Sequence, residues 1–510
     1  MSRRFCPAAL LLLLVATPAI AQETEPLPPP PATAEPAAGP TLTLEEAIQR
    51  ALAKNFTLQI QSYSAANAEE ALIAARAAFD PSLQASFSRA GSRSPDEGSF
   101  VDAEGNIITN TATRSDATRA RIGVAQRLTT GTSVGLSGNL DRSKNTPSRS
   151  RFNPAYDSDV TLSLSQSLLR GFGTAYNRAQ IEQAELDVRR AEHDFRGSVL
   201  DVIRNVETAY YNLGYAREQL LVQRFSLSVA EQLLEENRAR RDTGVSTDLD
   251  VLQAEVGLAN ARRNVLLSEQ DVSDALDQLM QLIGQFEFDA TIGDIRIGEI
   301  QPPEVSFDRS YQRARENRPD FAAQLAVIEQ LKIQSRVARS NRLPEVDLNG
   351  AVGYNTREGS YSAAARELWD GDGYAWQVGV EVNMPWGSRA DRARYRQALN
   401  NLAREEARLQ ALDQDILVRV RSAVRAVETN IEGVRISRLA TELSERQFEL
   451  EKARFDAGLS TFRRVQESQA DLDAARVSEL QARVSLRVAL AELARLEGSS
   501  LERYNIDLLD

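Results

Sequence analysis

The six residues "DTGVST" at 242–247 return as "DAGLST" at 456–461, each time between long, charge-rich stretches almost free of Pro and Gly. Aligned without a gap, Asp242 to Gly284 and Asp456 to Gly498 share fourteen identities in forty-three positions, where composition alone gives about three. A turn stated twice between helix-like flanks is the far end of a duplicated helical hairpin. At 510 residues the chain is too long for one ordinary core, so the duplication favours an elongated, repetitive architecture over several globules.

After each turn the apolar period is close to seven halves. Val251, Leu258, Val265, Val272 and Leu279 recur every seven residues, accompanied by Ala254, Ala261, Ser268, Ala275 and Leu282. The second copy repeats the pattern with Val465, Leu472, Glu479, Leu486 and Leu493, accompanied by Ser468, Ala475, Ala482, Ala489 and Leu496. Alternating large and small residues lets helices approach closely in coiled-coil packing, and Glu479 breaks the seam. The helices before the turns read as roughly 174–238 and 388–453, on the order of 95 Å each at 1.5 Å per residue. Rods of that length cannot bury a face inside a globule and must lie against each other. Gly197, Gly214 and Gly433 are weak points or close contacts inside them.

Upstream of each rod the period is two. A first helix, "TLTLEEAIQRALAKN", carries a capping box of Thr43 and Glu46, and its second copy follows Pro302-Pro303. Pro81 and Pro344 then end a helix and begin alternation in both copies. "SDVTLSLSQSL" sets Val160, Leu162 and Leu164 against Thr161, Ser163 and Ser165; "AWQVGVEVNMPW" sets Trp376, Val378, Val380, Val382 and Met384 against Gln377, Gly379, Glu381 and Asn383. In an aqueous sandwich the apolar face would point inward, and in a membrane barrel it would face lipid with the small or charged face lining water; strands of this length suit a tilted barrel, with Trp386 as an interfacial anchor. Copy one also holds "RARIGVAQRLTTGTSVGLSGNL", two further alternating segments around "TTGT", so it offers four strands and copy two offers two.

"MSRRFCPAALLLLLVATPAIAQ" has the three parts of a secretory signal, ending before Gln22. Cys6 lies ahead of the apolar run and leaves with it, so no disulfide, nucleophilic thiol or lipid-bearing cysteine is expected. Loss of Arg3 and Arg4 moves the net charge from -12 to -14, which argues against a nucleic-acid partner. No apolar run long enough for a transmembrane helix follows, but a barrel needs none. His193 is the sole histidine; without partners it reads as a solvated helix residue, and no catalytic, metal or cofactor site is expected.

These features together resemble an outer-membrane factor of the TolC family over about residues 41–498. The motifs include "LEEAIQRALAKN", the two helix-to-strand prolines, "SLLRGFGTAYNRAQIEQAELDVRRAE", "NMPWGSRADRARYRQALNN" and "RRDTGVSTDLDVLQAEVGLANARR". The resemblance implies a mixed α and β membrane protein with internal two-fold duplication. Its strands form a trimeric outer-membrane β-barrel, continued into the periplasm by an α-helical barrel of coiled-coil hairpins. The expected division is a signal at 1–21, a Pro-rich leader at 22–40, a first repeat at 41–284 (strands about 81–168), a linker at 285–304, a second repeat at 305–498 (strands about 344–386) and a tail at 499–510. The implied role is a passive exit duct of a tripartite efflux pump or type I secretion system, working as a homotrimer in outer-membrane lipid with a periplasmic adaptor and an inner-membrane transporter.

By the same resemblance the turns Gly244, Val245, Ser246 and Gly458, Leu459, Ser460 meet the adaptor. A tunnel gate falls on Asp250, Phe455, Arg463, Arg464 and Glu467, although the family's Arg partner of the acid falls on Ser460 and one of its acidic ring positions on Arg464. For the charges at the turns two readings stand: solvated helix starts, or ion pairs between hairpins such as Asp250 with Arg463 or Arg464. The family's barrel has twelve strands; the additional hairpin leaves a choice between twelve and eighteen. The rival from another class is a secreted coiled-coil scaffold.

Overall fold

A computed structural model describes residues 42–506, apart from 96–97, 102–103, 106, 111–113, 147–149, 245–246, 285–294, 296–303 and 372. The signal, the leader and nearly all of the 285–304 linker lie outside the described residues, as do Val245 and Ser246. In chain order the first copy comprises α1 (Leu44–Lys54), α2 (Phe56–Ala77), β1 (Ser82–Arg93), β2 (Gly98–Val101), β3 (Ile107–Asn110), β4 (Arg114–Arg127), β5 (Thr132–Thr146), β6 (Ala155–Ser167), α3 (Thr174–Asn177), α4 (Ala179–Asp242) and α5 (Asp248–Leu282). The second comprises α6 (Phe307–Asn317), α7 (Pro319–Ser340), β7 (Glu345–Glu358), α8 (Tyr361–Asp370), β8 (Tyr374–Asn383), α9 (Arg389–Asp456) and α10 (Phe462–Glu497), followed by α11 (Ser500–Arg503).

The rods α4 and α9 run for 64 and 68 residues, roughly 95–100 Å at 1.5 Å per residue. Each packs against its hairpin partner, α4 with α5 and α9 with α10, and α4 also packs against α10. Because α5 and α10 are only 35 and 36 residues long, each rod is completed alongside by a second piece, the 22-residue α2 or α7. The joints between pieces are built alike. Asn55, which caps α2, donates from its side chain to the Leu282 carbonyl at the end of α5 (2.8 Å), and Gly284 lies so close that a Cβ there would be 2.4 Å from the Lys54 carbonyl oxygen. Gly498, after α10, stands against Asn317 at the end of α6 in the same way.

The apolar core is strung along these rods. One cluster joins α1, mid-α4 and the end of α5 around Ile48, Ile203, Leu213 and Leu279; its counterpart joins α6, α9 and the end of α10 around Ala314, Ile416, Val420 and Leu493. A third lies near the turns. The heptad seam is buried at Val251, Ala254, Ala261, Ser268 and Leu279, and at Val465, Ser468, Leu472, Leu486, Leu493 and Leu496. At its break the adjacent Leu480 turns inward instead of Glu479.

The strands form one antiparallel sheet in the order β1-β4-β5-β6-β7-β8, and β2 and β3 pair separately within the β1–β4 connection. Its register aligns Leu83 with Val124, Val124 with Leu136, Leu136 with Leu162, Leu162 with Val352 and Val352 with Trp376. An unbroken apolar band therefore crosses all six strands, and Phe87, Trp376 and Val378 in it are 75%, 70% and 68% exposed. Alternation puts Ser86, Arg121, Asn139, Asp159 and Asn355 in one row on the opposite face. Arg121 donates to Asn139 (2.5 Å) and Asn139 to Asp159 (2.7 Å). Helix α8 was not legible in the sequence; it packs on β6 and β7 through Ala364, whose carbonyl accepts from Ser158, and through Tyr361 against Tyr156.

Candidate functional site

Both turns reverse direction at a left-handed glycine, Gly244 at φ +78° and Gly458 at φ +73°. At the second, Leu459 N–H reaches the Arg454 carbonyl (2.8 Å) and Gly458 N–H the Phe455 carbonyl (2.9 Å), which closes α9 in a Schellman motif. The Ser460 hydroxyl bonds to Glu451, tying the turn to the last turns of α9. Leu459 itself is 73% exposed in the single chain.

The two following helices begin differently. Thr247 caps α5, with Asp250 completing a capping box: the Asp250 carboxylate accepts from Thr247 N–H (2.8 Å) and from its hydroxyl (2.7 Å), and Asp250 N–H donates back at 3.3 Å. These bonds hold the Asp250 carboxyl below the usual carboxylate range. At the aligned position α10 has Arg464; Thr461 makes no side-chain cap bond, and the first turn carries no acid. Two arginines at a helix N-terminus oppose the macrodipole, and Arg463 is offset by Glu467 four residues on (2.8 Å). Of the two readings of these charges, the ion pair between hairpins is not formed within one chain. Asp250 is engaged by its own cap, Arg463 by its own helix, and among the described residues Arg464 has no ion pair. The Thr-x-x-Asp spacing at 247–250 was the available signal for that outcome.

Phe455 lies in the seam between the hairpins, 4% exposed, packed with Leu233, Leu234, Val251, Phe462 and Val465. The Arg240 guanidinium stacks over its ring at 3.9 Å, and Nη2 donates to the Phe455 carbonyl at 3.4 Å. This contact binds the end of α4 to the end of α9. The sequence reading did not pick out Arg240.

Above this cluster a cleft of about 330 Å³ opens between α4, α5 and α10, lined by amides such as Gln223, Asn260, Gln466 and Gln469. Asp473 at its edge is pushed up by burial, against bonds from Ser226 and Gln469. Further up the rods, Glu207 is 2% exposed. It accepts from the Tyr504 hydroxyl and lies 3.9 Å from Arg503; burial raises its carboxyl. No group of His, Cys, Asp and Glu able to hold a metal occurs among the described residues.

A family model described as outer membrane efflux protein matches residues 104–285 and 310–499. Among curated relatives, the chain is 26% identical over 352 residues to the pyoverdine export outer membrane protein OpmQ of Pseudomonas aeruginosa, covering 66% of this chain and 71% of that one. It is 25% identical over 193 residues to the alkaline protease secretion protein AprF of the same species, covering 38% and 40%. Among solved structures, the outer-membrane channel OprN superposes with a TM-score of 0.66 at 17% identity, covering 90% of each chain.

Proposed function

Since the chain belongs to the outer membrane efflux protein family, it is an exit duct of the outer membrane serving efflux or type I secretion, and we propose that three copies form it. The observation that carries the reading is the two-faced sheet: its apolar band stays exposed across six strands, while the helical rods leave from one end of the strands only. In water such a band has no partner; in a bilayer it faces hydrocarbon and the Arg121–Asn139–Asp159 row faces the lumen. The family is one of channels, not enzymes, and transport energy comes from an inner-membrane transporter coupled through a periplasmic adaptor.

We assign adaptor contact to the turns, Gly244 to Ser246 and Gly458 to Ser460, and control of the tunnel's inner end to Asp250, Phe455, Arg463, Arg464 and Glu467. Phe455 acts there from within the seam, by holding α9 to α4 through Arg240, and the charges act at its rim. In planar bilayers Asp250→Ala, or Arg463→Ala with Arg464→Ala, raises single-channel conductance; unchanged conductance in both removes the rim from the gate. The duct itself is tested in cells: deleting the gene raises retention of at least one exported solute or protein. Unchanged accumulation and secretion across the host's pump substrates, or release of the protein from membranes by carbonate, rejects the duct.

A further inference from the structure

We propose that the β4–β5 hairpin is a full element of the membrane wall, so that three copies close an eighteen-stranded barrel. The count rests on the three-copy reading above; the place of the hairpin rests on the first three of four features of the sheet, and closure between copies on the fourth.

First, β1 pairs with β4 over twelve positions, and β5 with β6 over twelve, so the hairpin separates β1 from β6 along their length. Second, its side chains continue the pattern of their neighbours. Ile122, Val124, Val134 and Leu136 extend the apolar band, and Arg121, Ser137 and Asn139 extend the polar face. A hairpin folded into the lumen or over the loops has no reason to keep that register.

Third, the β4–β5 turn is built into the base of the rods. Gly173 N–H donates to the Thr130 carbonyl (3.1 Å), Arg127 donates to the Asn177 side chain (2.8 Å), and Asn177 donates to the Gly171 carbonyl (2.7 Å). Gly131, at φ +90°, approaches so closely that a Cβ there would be 2.5 Å from the Gly171 carbonyl oxygen. The turn is thus clamped to the start of α3, at the end of the sheet where the helices depart.

Fourth, the edges fit a second copy. Six antiparallel strands leave β1 and β8 running in opposite senses, so β8 of one copy meets β1 of the next antiparallel all the way round. Both edges carry the apolar band, at Leu83 and Phe87 and at Trp376 to Val382. An open edge in hydrocarbon leaves ladder groups unpaired, and six strands are fewer than the eight of the smallest closed membrane barrels. With strands about 4.8 Å apart and tilted by about 40°, eighteen strands give a backbone diameter of about 36 Å, whereas twelve give about 24 Å. The backbone diameter of the barrel is then about 1.5-fold that of four strands per copy.

The test uses the purified full-length protein in nanodiscs. Mass analysis is expected to give three copies, and end-on electron microscopy a barrel of about 36 Å. Removing residues 114–146 takes out two adjacent strands and preserves the alternation of sense, so the barrel should shrink 1.5-fold. In case that deletion does not assemble, two single cysteines in a Cys6→Ser background report on the intact wall. Leu136→Cys should resist an aqueous maleimide and react with a lipid-phase one, while Ser137→Cys should do the reverse. Three copies around a barrel of about 24 Å, or a freely water-reactive Leu136→Cys, overturns the hairpin's place in the wall. Any other copy number overturns the trimer, and the count of eighteen with it.

Discussion

Replacing four glycines by alanine separates two costs that usually come together. Gly244 and Gly458 have φ of +78° and +73°, and a Cβ on either would meet nothing within 4 Å. Alanine there carries only the left-handed backbone penalty, about 1–2 kcal/mol. Gly284 and Gly498, at +68° and +70°, carry the same penalty and also face backbone: the Lys54 oxygen at 2.4 Å and the Asn317 oxygen at 2.9 Å from an added Cβ. A backbone carbonyl cannot rotate aside as a flexible side chain does, and overpacking of this kind adds about 1–3 kcal/mol. Gly498→Ala should therefore lose about 2–4 kcal/mol and Gly284→Ala about 3–5, the larger because its contact is shorter. Thermal and urea unfolding of the detergent-solubilised protein, followed by far-ultraviolet circular dichroism, ranks the four. Asparagine provides the second axis: it tolerates the left-handed region, so Gly458→Asn should recover most of the loss and Gly284→Asn little. If Gly284→Ala is no more harmful than Gly244→Ala, the joint between α5 and α2 is not the close contact described.

The remaining expectations concern charge. Asp250→Ala removes the α5 capping box and should cost about 1 kcal/mol. Because the Asp250 carboxyl lies below its ordinary 3.8, its contribution is present above that value and is lost as pH falls through the lowered folded one; acid unfolding of wild type should show this increment and that of Asp250→Asn should not. In a double-mutant cycle, Arg240→Gln and Phe455→Leu should couple by about 0.5–2 kcal/mol, read as unfolding of the helical tips, and strict additivity would mean that the stacking contributes nothing. Glu207 is the opposite case to Asp250. Burial raises its carboxyl above 4.5, so its ionised form opposes folding and stability is lost as pH rises through the raised folded value. Glu207→Gln, which keeps an acceptor for Tyr504, should be neutral or stabilising at pH 7 and should flatten that pH dependence; marked destabilisation would show that the ion pair with Arg503 outweighs desolvation.

The features legible in the sequence were those with a period. Seven-residue recurrence at Val251 to Leu279 and two-residue alternation at Trp376 to Val382 each reflect one buried or lipid-facing side, and prolines 81 and 344 mark the switch between them. Strand alternation says which side chains share a face but not which strand lies alongside, so the place of β4 and β5 needed the register. The contact of Arg240 with Phe455 spans 215 residues, and over a 68-residue helix the drift between 3.6 and 3.5 residues per turn blurs which face a residue occupies. Phe455, which the family resemblance alone places at the tunnel gate, is buried in a seam between the hairpins. Helix α8 interrupts a strand connection with ten residues, too few for a periodic signal, and only Ser360 as its cap announces it.

The duplicated turns are near copies in outline and unlike in chemistry: one begins its second helix with a threonine–aspartate box, the other with two arginines and no box. A ring of these chains consequently has twice as many tips as subunits, yet its true rotational order equals the subunit number. Neighbouring tips alternate between a braced acidic start and a looser basic one. Any partner that presents identical fingers to every tip must accept two kinds of seat, and its own grip around the circumference alternates in strength accordingly.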